Sequence, residues 1–281
     1  MASDTPLTRY LNAHFDVGPG LQPQQYHQLF LVWFLSFFLG GPHLSLRPIL
    51  TALGEQNSGK STLFEKALWL VYGNYDDESG ESEGLPVDLR SFQAAITNSH
   101  IKIVDNIDGA SLEKMGFADF ICKCATGGAV SIAQLYKTNV ERRYSLRCDL
   151  MLTSRYNPFP PHRTDLSRRT LFFPIRKPEP QEFLTVEQIK QQVEQGRDGM
   201  LREVLVRLQL ALRGLRANGH KNYSPLSEMH SFETLTMRVA EYEGWSEEMR
   251  KIWRGYYRDL QDHDRVQSSG SRTPSLAGTC R

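Results

Sequence analysis

Residues 54–61 read Gly54-Glu55-Gln56-Asn57-Ser58-Gly59-Lys60-Ser61 and match the spacing G-x-x-x-x-G-K-[ST]. That spacing is suited to holding phosphate. The glycines let successive backbone N–H groups turn inward on an anion, the lysine ammonium neutralises the β- and γ-phosphates, and the closing hydroxyl can ligate Mg²⁺. With Thr62 at the start of the following helix, the expected contact set runs over Gly54, Glu55, Gln56, Asn57, Ser58, Gly59, Lys60, Ser61 and Thr62, and the expected ligands are ATP and Mg²⁺. The bland alternative is a coincidental glycine turn. The flanks argue against it: residues 47–53 (Arg47-Pro48-Ile49-Leu50-Thr51-Ala52-Leu53) read as a short apolar strand entering the loop. Residues 62–71 read as a helix leaving it, N-terminus toward the phosphates.

Hydrolysis needs more than a loop, because an acidic group on a neighbouring strand must hold Mg²⁺ and orient water. In His100-Ile101-Lys102-Ile103-Val104-Asp105-Asn106-Ile107-Asp108 the apolar residues make a buried strand, and Asp105 falls at its C-terminal end. Ligands bind at that end in open parallel sheets, so Ser61 and Asp105 form the expected metal pair. An Asp capping a turn is the alternative. Many ATPases place Glu after this Asp as the base; here Asn106 stands there. Asn106 can orient water without deprotonating it, and Asp108 or Glu55 could substitute as base.

A third strand, residues 149–153, ends in Thr153-Ser154-Arg155-Tyr156-Asn157, where a polar side chain can meet the γ-phosphate or the attacking water. Thr153 is the first choice, followed by Ser154 and Asn157. Arg169 immediately precedes Thr170-Leu171-Phe172-Phe173, a returning strand, and can reach a neighbouring subunit's γ-phosphate. A surface arginine paired with a carboxylate is the competing reading. Residues 132–146 read as a hairpin with Lys137 near its tip and Arg142 and Arg143 on the return strand, interleaved with Tyr136 and Tyr144. Basic and aromatic residues so mixed suit a nucleic-acid backbone; a merely solvated hairpin is the alternative.

These groups need a scaffold. The 281 residues are 40% hydrophobic and 23% charged, as in globular proteins, with room for one large domain or two small ones. Residues 1–46 read as a helical lead-in, 47–178 as an α/β core, 179–262 as a C-terminal helical subdomain and 263–281 as a disordered tail. The apolar run at residues 29–39 is too short to span a bilayer and stops at Gly40-Gly41-Pro42, so it reads as core, with no membrane partner. Residues 73–86 are polar and acidic, the acidic residues falling at 76–83, and read as a mobile surface loop. Leu201, Leu205, Leu208, Leu212 and Leu215 recur every four and three residues and are expected to line one face of a helix ending near Asn218-Gly219. Further helices are expected over residues 228–242 and 246–261. The four cysteines, Cys122, Cys124, Cys148 and Cys280, lack zinc spacing and read as thiols in a reducing compartment. No secretory signal is visible, and the expected location is cytoplasmic. Net charge is only +1, so nucleic-acid contact must come from local patches.

Taken in order, the phosphate loop, the strand ending in Asp105-Asn106, Thr126-Gly127-Gly128, the Leu135-Tyr136-Lys137-Thr138 hairpin, the third strand and the Asp165-Leu166-x-x-Arg169 segment resemble one ATPase family. It comprises the helicase-like ATPases of phages, plasmids and integrated mobile elements. They are related to superfamily 3 helicases and to the ATPase half of poxvirus and phage primase-helicases, within the AAA+ class. The resemblance covers residues 48–173 well and the C-terminal helices loosely. It implies an AAA+-like core with a mainly parallel sheet, a ring (usually a homo-hexamer) with ATP between subunits, a hairpin around Lys137 that grips single-stranded or duplex DNA, and Arg169, or Arg168 in its place, acting in trans. The departures are Asn106 after the strand Asp and Thr153-Ser154 where relatives commonly have Asn. No room remains for an origin-recognition or primase domain, so a separate targeting or effector protein is expected. An ATP-switched assembly subunit is the alternative function, and a small-molecule kinase is a more distant one.

Overall fold

The computed structural model describes residues 4–18, 20–39, 44–73, 84–113, 116–133, 141–160, 162–224, 226 and 228–270. Four strands build the central sheet: β1 (Ile49–Leu53), β2 (Ile101–Val104), β5 (Asp149–Ser154) and β6 (Thr170–Pro174), in the order β2-β5-β1-β6. Every pairing is parallel. Parallel strands are covered by helices on both faces, which is why β1 and β5 are buried along their length rather than at alternate residues. All six residues of β5 are buried, as are the first four of β1. A separate two-stranded antiparallel ribbon, β3 (Ala129–Ala133) with β4 (Glu141–Ser145), forms the expected hairpin.

The chain opens with α1 (Pro6–Tyr10) and α2 (Pro23–Ser36), each started by a proline in its first turn. Their apolar residues join the hydrophobic cluster that covers one face of the sheet: Leu7, Leu11, Phe30, Trp33 and Phe34 are fully buried together with Leu50, Phe64 and Phe173. Much of the apolar run at residues 29–39 is therefore core. Among the described residues no helix is long and apolar enough to cross a membrane. The other face is covered by α4 (Leu89–Thr97), α5 (Gly109–Glu113), α6 (Phe117–Ala125) and α7 (Thr164–Ser167), through Phe92, Ile96, Phe120, Ile121 and Leu166.

The C-terminal third is three helices: α8 (Val186–Ala217), α9 (His230–Glu243) and α10 (Ser246–Gly270). The leucine stripe expected on α8 is buried only in part: Leu215 lies in the core, and Leu201 and Leu208 pack against it half-buried. Leu205 is 61% exposed and Leu212 40%, while Ile189, Val193, Met200, Val204, Ala211 and Leu215 face inward. The seam is set by close approach to α9: a Cβ on Gly214 would stand 3.0 Å from Tyr242 Cβ and 3.2 Å from Val239 Cα. Helix α10 also continues beyond its expected end, through Gly270 and into the segment read as a disordered tail. Residues 261–269 hold neither proline nor glycine, and an established helix extends at little cost until one intervenes.

The outer edge of β6 is closed by side-chain and loop contacts rather than by a fifth strand. The buried Tyr256 hydroxyl of α10 donates to Thr170 O at 2.7 Å and accepts from Phe172 N at 3.0 Å. Further along, Asp16 N donates to Pro174 O and Arg176 N to His14 O, both at 2.8 Å. Tyr256→Phe is expected to destabilise the protein by about 2–3 kcal/mol, because two buried backbone groups lose their partner at once. Denaturant melts of the two proteins check this, and a loss below about 0.5 kcal/mol would show that water satisfies the edge.

Candidate functional site

Strand β1 delivers the chain to the loop between two neighbours. Gly54 N donates to Ser154 O at 3.2 Å on the β5 side, and Ile175 N donates to Leu53 O at 2.7 Å on the β6 side. The space is so tight that a Cβ at residue 54 would lie 2.3 Å from Ile175 O and 2.9 Å from Ser58 Oγ. Glycine there is a packing requirement. Two left-handed residues then turn the loop, Asn57 at φ 62° and Gly59 at φ 82°, the latter capping α3 (Lys60–Tyr72). Such a turn aims consecutive N–H groups and the helix N-terminus into one concavity, which favours anions.

Lys60 lies back across this concavity. Its Nζ donates to Gly54 O at 2.8 Å, to Glu55 O at 2.6 Å and to Ser58 Oγ at 3.5 Å. No carboxylate forms an ion pair with it among the described residues. Burial lowers its pKa first, Asp105 opposes that, and Arg155 adds to the lowering. A cation held by carbonyls, desolvated and pushed by a second cation, is one that an incoming phosphate would relieve.

Strand β5 lies between β1 and β2, so the loop and Asp105 start about 10 Å apart across two strand spacings. The intervening strand fills that gap with Thr153, 1% exposed, whose hydroxyl donates to Asp105 Oδ1 and accepts from Asn106 N at 2.9 Å. From the other side Ser61 Oγ donates to the same Asp105 Oδ1 at 2.7 Å. Two oxygens bound side by side on an octahedral Mg²⁺, each at about 2.1 Å, sit roughly 3.0 Å apart. The Ser61–Asp105 pair fits that ion. Among the described residues no cluster of three acidic, His or Cys side chains is present. This donor set suits a metal that shares its shell with phosphate and water.

Asn106 follows in a left-handed conformation, φ 52°. Thr153 is thus placed to position Asp105 and Asn106, with its proton directed to Asp105 instead of outward. The alternative sensor Ser154 is buried and donates to Ile107 O at 2.7 Å, and Asn157 accepts from Phe159 N within its own turn. Asp108, one candidate base, caps α5 through Ser111 N at 2.7 Å and Ser111 Oγ at 3.0 Å. Glu55 is exposed at the loop.

The structure brings Gly54, Gln56, Asn57, Ser58, Gly59, Lys60, Ser61, Thr62, Asp105, Asn106 and Thr153 around one cleft of about 590 Å³. It adds a residue that sequence reasoning passed over, Arg155, one position beyond the Ser154 that pairs with Leu53. A second chamber of about 620 Å³ shares Asn57, Ser58, Gly59 and Thr62 with the first, and extends between the 12–14 segment and the 177–189 segment. Its walls include Lys66, which donates to Asn12 O at 3.2 Å and which burial pushes down to about 8, and the half-exposed Phe183.

Arg169 stands apart from that lining. Its Nη1 donates to Asp165 O, its Nη2 lies 3.6 Å from Glu228 Oε2, and Arg168 pairs with the same glutamate at 3.0 Å. Arg142 and Arg143 are exposed on β4, opposite Ile132 and Ser131, and adjacent strand residues point to opposite faces of the ribbon. Lys137 lies outside the described residues, as do Tyr136, Cys280 and the acidic stretch at 76–83. Cys124 and Cys148 are buried thiols, while the half-buried Cys122 donates to Asp165 Oδ2 at 3.0 Å.

No family model matches the chain, and no curated protein matches it. Among solved structures it is similar to one described as SCCmec type IV Cch, an active helicase, at 15% identity and a TM-score of 0.44. The match covers 91% of this chain and 53% of that one, so the chain spans about half the length of that protein.

Proposed function

We propose that this chain is a Mg²⁺-dependent ATPase of AAA+-like build that works on DNA. The observation that carries the reading is the convergence of Lys60, Ser61 and Asp105 on one cleft. A cation without an ion-pair partner faces a hydroxyl–carboxylate pair spaced as two metal ligands, beneath a helix N-terminus. The loop N–H groups and Lys60 bind and orient the phosphates. Ser61 and Asp105 hold Mg²⁺, which when bound offsets charge on the phosphate oxygens. Asn106, fixed through its N–H by Thr153, presents its amide to the water. The adjoining chamber receives the nucleoside, with Phe183 as an apolar wall.

In this reading the chain assembles as a homo-hexameric ring, and Arg169 (or Arg168) crosses to the neighbour's nucleotide once Glu228 releases it. The β3–β4 ribbon carries Arg142 and Arg143 to the DNA backbone, and a separate targeting or effector protein brings the ring to its site. DNA, single-stranded or duplex, is expected to raise ATP turnover several-fold. The Arg142→Ala/Arg143→Ala double variant should lose most of that increment. It should also lower the slope of log affinity against log salt by about two units, one per phosphate contact. An unchanged slope, or DNA-independent turnover in the parent protein, would remove DNA from the proposal.

One observation favours a second reading, an ATP-switched assembly subunit that turns over slowly. Asn106 occupies the place of a carboxylate base, and Asp108 is committed to capping α5. Slow turnover together with nucleotide-dependent oligomerisation and no strand separation would decide for it.

A further inference from the structure

The segment from the end of β5 to the start of β6 carries four arginines: Arg155, Arg163, Arg168 and Arg169. Three are committed within the subunit. Arg163 makes a bidentate contact with Asp165, both bonds at 3.0 Å, and reaches Asp119 at 2.9 Å. Arg168 pairs with Glu228, and Arg169 is held by Asp165 O and Glu228. Arg155 differs in each respect. It is exposed, makes no ion pair among the described residues, and has its guanidinium 5.3 Å from the Tyr156 ring centre as its described contact.

Its placement follows from the sheet. Ser154 pairs with Leu53, and Gly54 N bonds to Ser154 O, so the next residue of β5 emerges beside the entrance to the phosphate loop. There it lines the same cleft as Lys60 and is close enough to influence that ammonium electrostatically. Two cations lining one cleft, neither in an ion pair with a carboxylate among the described residues, repel each other until an anion with charge to share arrives. Lys60, drawn down into the loop by Gly54 O and Glu55 O, sits where the β- and γ-phosphates of the proposed nucleotide would converge. Arg155 enters the cleft from the strand end and lines it together with Asp105 and Asn106, where the terminal phosphate of the proposed nucleotide would lie.

Resting on the nucleotide reading of this cleft, we infer that Arg155 reads the terminal phosphate in cis, binding nucleoside triphosphate in preference to diphosphate within a single subunit. A guanidinium suits the task because its planar fork can grip two phosphate oxygens, and stacking on Tyr156 limits the conformations it must give up on binding.

The test compares the affinities of ADP and a non-hydrolysable ATP analogue, both with Mg²⁺, by calorimetry on the full chain. For Arg155→Ala the preference for the triphosphate should fall by about tenfold or more while ADP affinity stays within about twofold. Arg155→Lys should recover part of the preference. The inference is overturned if Arg155→Ala keeps the parent preference, or if ADP and the analogue weaken equally. If the parent protein binds neither nucleotide, the nucleotide reading of the cleft fails, and this inference fails with it. Parent binding with an unaltered Arg155→Ala variant sinks the inference alone.

Discussion

Lys60→Ala is expected to weaken ATP binding by about 100-fold or more and to abolish turnover. The ammonium is the one positive charge that the loop itself contributes, and three hydrogen bonds hold it where the phosphates would converge. A charge-assisted contact to phosphate contributes about 1.5–3 kcal/mol, and Lys60 would serve two phosphates, so a loss of roughly 3 kcal/mol or more follows. Burial already disfavours its charged form. In the nucleotide-bound state the ammonium recovers that cost, which raises the differential further. The fold should tolerate the change, since Gly54 O and Glu55 O can turn to water at the cleft surface. Calorimetric titration, paired with a thermal melt to confirm folding, reads the result. A folded variant with ATP affinity within threefold of the parent would end the phosphate-loop reading.

Asp105→Asn should separate metal use from nucleotide binding. The amide keeps an oxygen for the Ser61 and Thr153 hydroxyls, so the bridge between α3, β5 and the end of β2 survives. The negative charge that retains Mg²⁺ does not. Metal-free nucleotide affinity should stay within a fewfold of the parent. The gain in affinity on adding Mg²⁺ should vanish, and turnover should fall by about a thousandfold, equivalent to roughly 4 kcal/mol of transition-state stabilisation. Titrating Mg²⁺ against each protein with nucleotide present checks both parts. A variant with full Mg²⁺ dependence would assign the metal to another group, and Glu55 would be the next to test.

The two halves of the site differed in how visible they were in the chain. The loop could be read because its eight residues are contiguous and its glycines are demanded by local conformation and packing. Asp105 could be read because a buried apolar strand ending in a lone carboxylate places that group at a sheet's ligand-binding end. Thr153 was singled out for a polar strand end, yet its bond to Asp105 depends on β5 lying between β1 and β2, a matter of strand order that no local pattern records. Arg155 was passed over for the same reason. It lies about a hundred residues from the loop and meets it only through parallel pairing. The leucine repeat on α8 marked only part of the buried face, because a heptad pattern fixes a stripe's period and not which neighbour it meets. Gly214 and Ala211, small enough to admit α9, decided the matter.

The length of α8 has a mechanical consequence. Its first turns line the proposed nucleoside chamber through Val186 and Ile189. Arg197 clamps the far end of α3, donating to Leu70 O and Val71 O at 3.0 Å each. Its last turn packs on α9, where Asn218 Nδ2 donates to Arg238 O at 3.0 Å. A helix of 32 residues is about 48 Å long and nearly inextensible. Held about a third of the way along by the helix that leaves the phosphate loop, it could act as a lever: a tilt of about 5° at Arg197 would carry the α9 contact through a few ångströms. A ligand that shifted the first turns of α8 would therefore also shift its contact with α9.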